Sequence, residues 1–165
     1  MSIPPLLQVA LAAMTPLGEL RLSIPLGIYT LDLPWPTVLL LSVAGNMVPV
    51  IPLVLGLDRA ARFLTSFPNP LGKLLMWRAG KMQAAYAERF RKYGPAFLVI
   101  FVAIPLPLTG AWSGSLMAWV FQVPPLRAFF LIGLGVLLAG LAVTALTQFG
   151  GWGAGLFLAG PGGGP

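Results

Sequence analysis

Hydrophobic residues form four long stretches along the chain, and most charged residues lie between the second and the third. The stretches cover residues 3–31, 35–57, 95–123 and 126–147. The second contains no charged residue and would be about 34 Å long as a helix, enough to cross a bilayer core of about 30 Å with some tilt. The fourth is similar, so we predict membrane-spanning helices at residues 35–57 and 126–147.

The first and third stretches have helix-breaking residues near their middles. Pro16 and Gly18 interrupt the first, and Pro105, Pro107 and Gly110 interrupt the third. Each stretch is thereby divided into two apolar arms that are too short to span a bilayer as helices. We expect two re-entrant helical hairpins whose turns are buried by protein or line a watery cavity. Two full spans with proline kinks are the alternative that hydropathy leaves open.

The two halves of the chain resemble each other at an offset of 90 residues. This offset aligns the broken centres of the hairpins, and a single span separates the two copies. The copies would therefore face opposite sides of the membrane, as in many secondary transporters. The predicted fold is an all-α membrane protein built from an inverted repeat of hairpin plus span. The offset pairs Pro5 with Pro95, Ser23 with Ser113, Pro34 with Pro124 and Gly45 with Gly135.

Residues 58–94 form a basic segment between the repeats. Eight of the ten Lys and Arg residues lie there, which predicts a cytoplasmic location. Within it, residues 70–93 predict an amphipathic helix on the inner membrane surface, with a partner-binding role as the alternative. Its apolar positions are Leu75, Ala79, Met82, Tyr86, Phe90 and Tyr93. Its predicted surface anchors are Lys73, Trp77, Arg78, Lys81, Arg89, Arg91 and Lys92.

The composition supports a single-domain integral membrane protein. Hydrophobic residues make up 58% of the chain, charged residues make up 8%, and the mean hydropathy is +0.89. Cysteine and histidine are absent, which removes disulfides and the usual zinc ligands. We find no catalytic constellation and expect neither an enzyme nor a cofactor. The net charge of +6 arises in the basic segment, so a nucleic-acid partner is not expected.

Both ends of the chain give simpler expectations. The first residues, MSIPPLLQV, have no basic residue before the apolar run, so we do not expect a cleaved signal peptide. Residues 148–165 are rich in glycine, and we expect an irregular tail there.

Glu19 and Arg21 are the candidates for chemistry, because a hairpin turn would hold them at membrane depth. Ionisable groups are costly there and usually functional. Glu19 could carry a proton, since its proton affinity would change with solvation and with its contact to Arg21. Arg21 could instead bind an anionic headgroup together with nearby helix N-termini. An interfacial position or an inert ion pair remains the structural alternative.

Asn46 precedes two prolines, Pro49 and Pro52, in the middle of the second stretch. It would either hydrogen-bond carbonyls freed by the kink or face a transport route. The complete predicted substrate or proton site consists of Glu19, Arg21, Ser23, Pro25, Asn46, Pro105, Pro107, Thr109, Gly110, Trp112 and Ser113.

Three segments carry a family resemblance: GELRLSIPLG at 18–27, GN at 45–46 followed by prolines, and FRKYGPAFLVIFVAIPLPLTGAWSG at 90–114. In these segments the chain resembles the small multi-drug export family of bacterial and archaeal membrane proteins, a distant relative of the DedA (VTT-domain) superfamily. The resemblance implies two re-entrant hairpins in inverted repeat, and membrane transport or lipid translocation. Asn46 replaces an acid that is usual in DedA proteins, and FVAIPLPLTG lacks their arginines.

These observations lead to three functional hypotheses. The first is a DedA-like transporter or flippase in the cell (inner) membrane that moves an anionic lipid or an amphipathic small molecule. The second is a proton-coupled multidrug exporter, and the third is a non-transporting scaffold. The expected partners are membrane lipids, a substrate and a second copy of the chain. The homodimer would pack through the small residues Gly135, Ala139 and Gly140.

Overall fold

A computed structural model describes residues 3–16, 18–67, 70–104 and 110–158, with side chains up to Phe149. This part of the chain contains helices and no strand, as predicted for an all-α protein. The helices are α1 (Pro5–Met14), α2 (Glu19–Pro25), α3 (Trp35–Met47), α4 (Val50–Thr65), α5 (Pro70–Tyr93), α6 (Ala96–Ala103), α7 (Ala111–Val120) and α8 (Pro125–Leu158). A π helix, Leu26–Thr30, follows α2.

Two helical stretches among the described residues are long and apolar enough to cross a membrane. One is Trp35–Thr65, which joins α3 to α4 and has 31 residues with a mean hydropathy of 2.2. The other is Pro125–Phe149 within α8, which has 25 residues with a mean hydropathy of 2.5. The two spans predicted from the sequence lie inside these helices.

A proline interrupts the first of these long stretches. Pro49 has no N–H group to continue the ladder of hydrogen bonds, so the helix breaks between α3 and α4. The N–H of Val48 instead donates to the carbonyl of Gly45 at 3.2 Å, a tighter turn than in an α-helix. The break follows directly after Asn46 and Met47.

The first and third apolar stretches each form separate short helices. In the first stretch, α1 ends at Met14 and α2 begins at Glu19. In the third, α6 ends at Ala103 and α7 begins at Ala111. Helix α1 packs against α2, and α6 packs against α7. The breaks predicted from proline and glycine are therefore present, although residues 105–109 lie outside the described part of the chain.

Two glycines allow each first arm to approach a long helix closely. A Cβ atom on Gly45 of α3 would lie 2.6 Å from the carbonyl oxygen of Ala10 in α1. A Cβ atom on Gly135 of α8 would lie 2.7 Å from the Cβ of Val102 in α6. Small residues permit such contacts between helices in a membrane. The pairs α1–α3 and α6–α8 are the most closely associated helices of the fold.

Three small residues of α8 pack against other helices of the same chain. Gly135 meets α6, and a Cβ atom on Gly140 would lie 2.8 Å from the Cδ1 of Leu39 in α3. Ala139 is also buried within the chain. Helices of the same chain thus cover the three residues at which we expected a homodimer to pack, and the homodimer itself stays a prediction.

The two halves of the chain share one hydrophobic core. Helix α2 packs against α8, and α7 packs against α4, so each second arm contacts the long helix of the other half. The fully buried side chains come from both halves. They include Ile24, Val38, Leu98, Met117 and Ile132.

Helix α5 occupies residues 70–93, as the amphipathic pattern indicates. Its apolar face contacts protein: Phe90 stacks on Phe121 with ring centroids 4.2 Å apart, and Tyr86 meets Phe101 edge-on at 5.2 Å. We expected the membrane surface to cover this face, but α6 and the residue after α7 cover it at Tyr86 and Phe90, while Tyr93 is 51% exposed. Most of the predicted basic anchors are exposed, and Arg78 is half-buried.

Helix α8 continues beyond the predicted span to Leu158. The expectation of an irregular tail is therefore wrong as far as residue 158, and residues 159–165 lie outside the described part. Extending a helix that already exists costs little per residue, and each glycine adds only about 1 kcal/mol relative to alanine. Glycine content alone therefore does not end a long helix.

We predict that Gly45→Ala destabilises the protein. The new methyl group would collide with the backbone of α1, at a cost of about 1–3 kcal/mol. This should lower the melting temperature in detergent by several degrees, at roughly 2–4 °C per kcal/mol for a chain of this size. Gly56→Ala is the control, because a Cβ atom there would meet nothing within 4 Å. Equal melting temperatures for both variants would contradict the α1–α3 contact.

Candidate functional site

Glu19 begins α2 in an unusual backbone conformation. Its φ angle is +45°, in the left-handed region that residues other than glycine seldom occupy. Such conformations cost about 1–3 kcal/mol and tend to occur at functional sites. The side chain is only 8% exposed. The fold therefore holds an acidic residue in a strained backbone conformation inside the protein.

The Glu19 carboxylate lies at the N-terminus of α7, in the other half of the chain. The backbone N–H of Trp112 donates to Glu19 Oε1 through a long hydrogen bond of 3.5 Å, and the N–H of Ala111 also donates to this carboxylate. The first N–H groups of a helix have no partner within the helix, and the helix dipole favours an anion there. Glu19 thus acts as a cap for α7 across a separation of 93 residues.

Gly110 makes room for this carboxylate. A Cβ atom on Gly110 would lie 1.8 Å from Glu19 Oε2, which no side chain can tolerate. The φ angle of Gly110 is +139°, which also favours glycine. Glycine is therefore required at this position both for space and for backbone conformation.

Trp112 connects α7 to both sides of the first turn. Its backbone N–H bonds to Glu19, and its indole Nε1–H donates to the carbonyl of Met14 at 3.2 Å. Met14 is the last residue of α1, where carbonyls lack partners within the helix. One residue of the second half thus satisfies polar groups at the end of α1 and the beginning of α2.

Arg21 lies two residues after Glu19, in the first turn of α2, and is half-buried. Its positive charge interacts favourably with the Glu19 carboxylate. In the structure both line one small cavity.

This cavity lies where α2, α3, α6 and α8 meet beside Gly110, and its volume is about 10 Å³. Its polar lining comes from Glu19, Arg21 and Asn46. The remaining lining residues are Leu20, Val102, Gly110, Val136, Ala139 and Val143. The structure thus brings four of the predicted site residues, Glu19, Arg21, Asn46 and Gly110, to one place.

Asn46 is 1% exposed, and neither atom of its amide has a hydrogen-bond partner among the described residues. It therefore does not bond to carbonyls freed by the kink in this part of the chain, which was one of the two interpretations. One turn earlier, Ser42 accepts a hydrogen bond of 2.9 Å from Ser23, which lies one turn after Glu19. Our sequence reasoning missed Ser42. Ser42 and Asn46 are four residues apart, as are Glu19 and Ser23, so the members of each pair lie on one face of their helix. This spacing in the sequence would have pointed to Ser42.

The other predicted site residues are less closely involved. Pro25 is half-buried at the end of α2, where the π helix begins, and Ser113 is half-buried in the first turn of α7. Pro105, Pro107 and Thr109 lie outside the described residues. Within the described ranges, no group of acidic side chains is arranged to hold a metal ion.

Replacing Gly110 should disturb this site specifically. We predict that Gly110→Ala lowers the melting temperature more than Gly94→Ala does. Both glycines have positive φ, but a Cβ atom on Gly94 would meet nothing within 4 Å. In a double-mutant cycle, Glu19→Ala should relieve part of the Gly110→Ala defect, because it removes the atoms in collision. Strict additivity of the two changes in detergent melting would contradict the contact.

Comparison with known proteins supports the resemblance to the small multi-drug export family, whereas the relationship to the DedA superfamily stays a prediction. No curated protein and no solved structure matches the chain. The family match begins at Glu19 and extends to residue 142, so it includes every lining residue of the cavity except Val143. The word export in the family's description and the two long apolar helices are consistent with a membrane transporter. Because this match covers well over half of the 165 residues, the chain belongs to the family described as "Putative small multi-drug export protein".

Proposed function

We propose that the protein is a proton-coupled membrane exporter of small amphipathic molecules in which Glu19 is the proton carrier. The family description supports export as the activity. The observation that carries the mechanism is the bond between the Glu19 carboxylate and the N-terminus of α7. This bond joins the two halves of the chain, so a change in the charge of Glu19 acts on their association.

A repeated architecture supports this proposal. Gly45 and Gly135, which are 90 residues apart, each receive the first arm of their own half. Asp32 and Gln122 have the same offset and similar positive φ angles of +50° and +55°. Two backbone hydrogen bonds also recur at this offset. The bond from Leu7 N to Pro4 O corresponds to the bond from Phe97 N to Gly94 O. The bond from Val38 N to Pro34 O corresponds to the bond from Ala128 N to Pro124 O.

We infer from these correspondences that the halves form an inverted repeat of two re-entrant hairpins, as the resemblance to the DedA superfamily implies. The lengths of the arms agree with this. Helices α1 and α7 have 10 residues each, which is about 15 Å, or half of a bilayer core of about 30 Å. Arms that enter from opposite surfaces would then meet near the midplane, where α7 meets Glu19.

Glu19 is the one buried acid among the four acidic residues of the chain. Asp32, Asp58 and Glu88 are all exposed. An ionised Glu19 is attracted by the N-terminus of α7 and by Arg21. Protonation removes the charge and weakens both attractions, and the strained backbone of Glu19 then favours release. Proton binding would thus loosen the contact between hairpins and allow the site to open on the other side.

Translocation of an anionic lipid is a second candidate function, and one arrangement favours it. When Glu19 leaves α7, the N–H groups of Ala111 and Trp112 and the nearby guanidinium of Arg21 can receive another anion. A phosphate headgroup has the required charge and acceptor oxygens. In this case the Glu19 carboxylate acts as an internal competitor of the substrate.

The basic helix α5 gives the proposed orientation in the cell membrane. Lys73, Lys81, Arg89 and Lys92 are exposed on it, which favours a cytoplasmic position beside anionic lipids. Trp77 is 55% exposed and carries the ammonium group of Lys81 over its ring at 5.1 Å. This pair would lie at the level of the headgroups.

A liposome experiment tests both candidates. We predict that Glu19→Gln lowers efflux of ethidium driven by a pH gradient at least tenfold, because an amide does not ionise and therefore cannot bind and release a proton as the carboxylate does. Glu88→Gln is the matched control and should transport at the wild-type rate, since Glu88 is exposed on α5. Undiminished pH-driven efflux in Glu19→Gln would contradict proton coupling.

For the second candidate, the same liposomes contain fluorescent phosphatidylglycerol. Translocation of this lipid should be reduced more by Arg21→Ala than by Glu19→Gln. Arg59→Ala serves as the control, because the side chain of Arg59 in α4 is exposed. If neither ethidium nor the lipid moves faster than in protein-free liposomes, the transport proposal is wrong and a scaffold role is favoured.

A further inference from the structure

The Asn46 amide has hydrogen-bonding groups that the described protein atoms do not satisfy. It is fully buried, and both its donor and its acceptor atom lack a partner among those residues. An amide buried without hydrogen bonds destabilises a fold, and nearly all buried polar groups have a protein or water partner. A partner outside the described residues would explain why an asparagine is stable here.

The cavity beside Asn46 has the properties of a site for one water molecule. Its volume of about 10 Å³ is at the lower limit for a single water. Asn46 contributes a donor and an acceptor, and Glu19 contributes acceptor oxygens. A buried water usually makes two to four hydrogen bonds, and these groups are enough to hold it.

We propose that one ordered water molecule binds in this cavity between the Asn46 amide and the Glu19 carboxylate, and that Glu19 exchanges its proton through it. Asn46 is then a positioning residue, because it acts on Glu19 through the water. The proton-exchange part rests on the proposed role of Glu19 as proton carrier.

The surroundings favour water over a metal cation. The guanidinium of Arg21 lines the same cavity, and its positive charge would repel a cation. Helices α6 and α8 contribute only Val102, Val136, Ala139 and Val143 to the lining. Water can donate to the carboxylate and accept from the amide at the same time, which a cation cannot do.

The charged groups around Glu19 also leave few routes for a proton. Arg21 in α2 is a positive charge near the carboxylate, the backbone N–H groups of α7 donate to it, and α3 presents the neutral Asn46. The lining from α6 and α8 has no titratable group. A water held by Asn46 is thus the mobile group that can give a proton to Glu19 or take one from it.

Two isosteric substitutions distinguish a hydrated amide from an unpaired one. If a water satisfies Asn46, Asn46→Leu loses those hydrogen bonds and should lower the melting temperature in detergent by several degrees. Thr144→Val is the matched control, because the buried Thr144 hydroxyl also lacks a partner in the described part of the chain and does not line the cavity. This variant should melt at or above the wild-type temperature. An Asn46→Leu protein that is as stable as wild type, or more stable, would overturn the proposal.

Infrared difference spectroscopy detects the water itself and does not depend on transport. When the pH is changed, wild-type protein should show a carboxyl band that is absent in Glu19→Gln, together with an O–H stretching band that shifts in H₂¹⁸O. Asn46→Leu should lose the ¹⁸O-sensitive band and keep the carboxyl band. If wild type shows no ¹⁸O-sensitive band, the water site is wrong. If both bands are present but no substrate is transported, the water site stands and the proposed function fails.

Discussion

The arrangement of this molecule depends on one electrostatic contact, that between the Glu19 carboxylate and the N-terminus of α7. Placing a carboxylate inside so apolar a protein is unfavourable unless donors surround it. Here the donors are backbone N–H groups from the other half of the chain, with Arg21 as an additional positive charge. The contact therefore solvates the acid and joins the two halves at the same time. Any change in the charge of Glu19 must alter that junction.

The contact follows from the way the chain interrupts its helices. Each break leaves backbone groups unpaired, and an apolar environment offers no solvent for them. At the first break the carbonyl of Met14 accepts from the Trp112 indole, and at the second the N–H groups of α7 donate to Glu19. The two broken regions thus satisfy each other, with Gly110 providing the space. Opening of this region would require these bonds to exchange partners.

Local chemistry explains which features could be predicted from the sequence. Proline and glycine indicated the breaks near residues 16–18 and before Gly110, and apolar spacing indicated α5. Glu19 and Arg21 were recognisable because charge is rare in this chain. Tertiary partners were less visible: protein covers the apolar face of α5, helices of the same chain cover Gly135 and Gly140, and Ser42 pairs with Ser23. Helix α8 continues past residue 147 because glycine weakens a long helix without ending it.

Solid-state NMR in lipid bilayers tests the central contact most directly. The chain has two glutamates and five tryptophans, so labelling the glutamate side-chain carboxyl with ¹³C and the tryptophan backbone nitrogen with ¹⁵N gives few possible pairs. The N to O distance of 3.5 Å between Trp112 and Glu19 predicts a clear ¹³C–¹⁵N dipolar coupling that Trp112→Phe, unlabelled at that position, removes. Absence of this coupling in the wild-type protein would show that Glu19 does not cap α7, and the account of the two halves would be wrong.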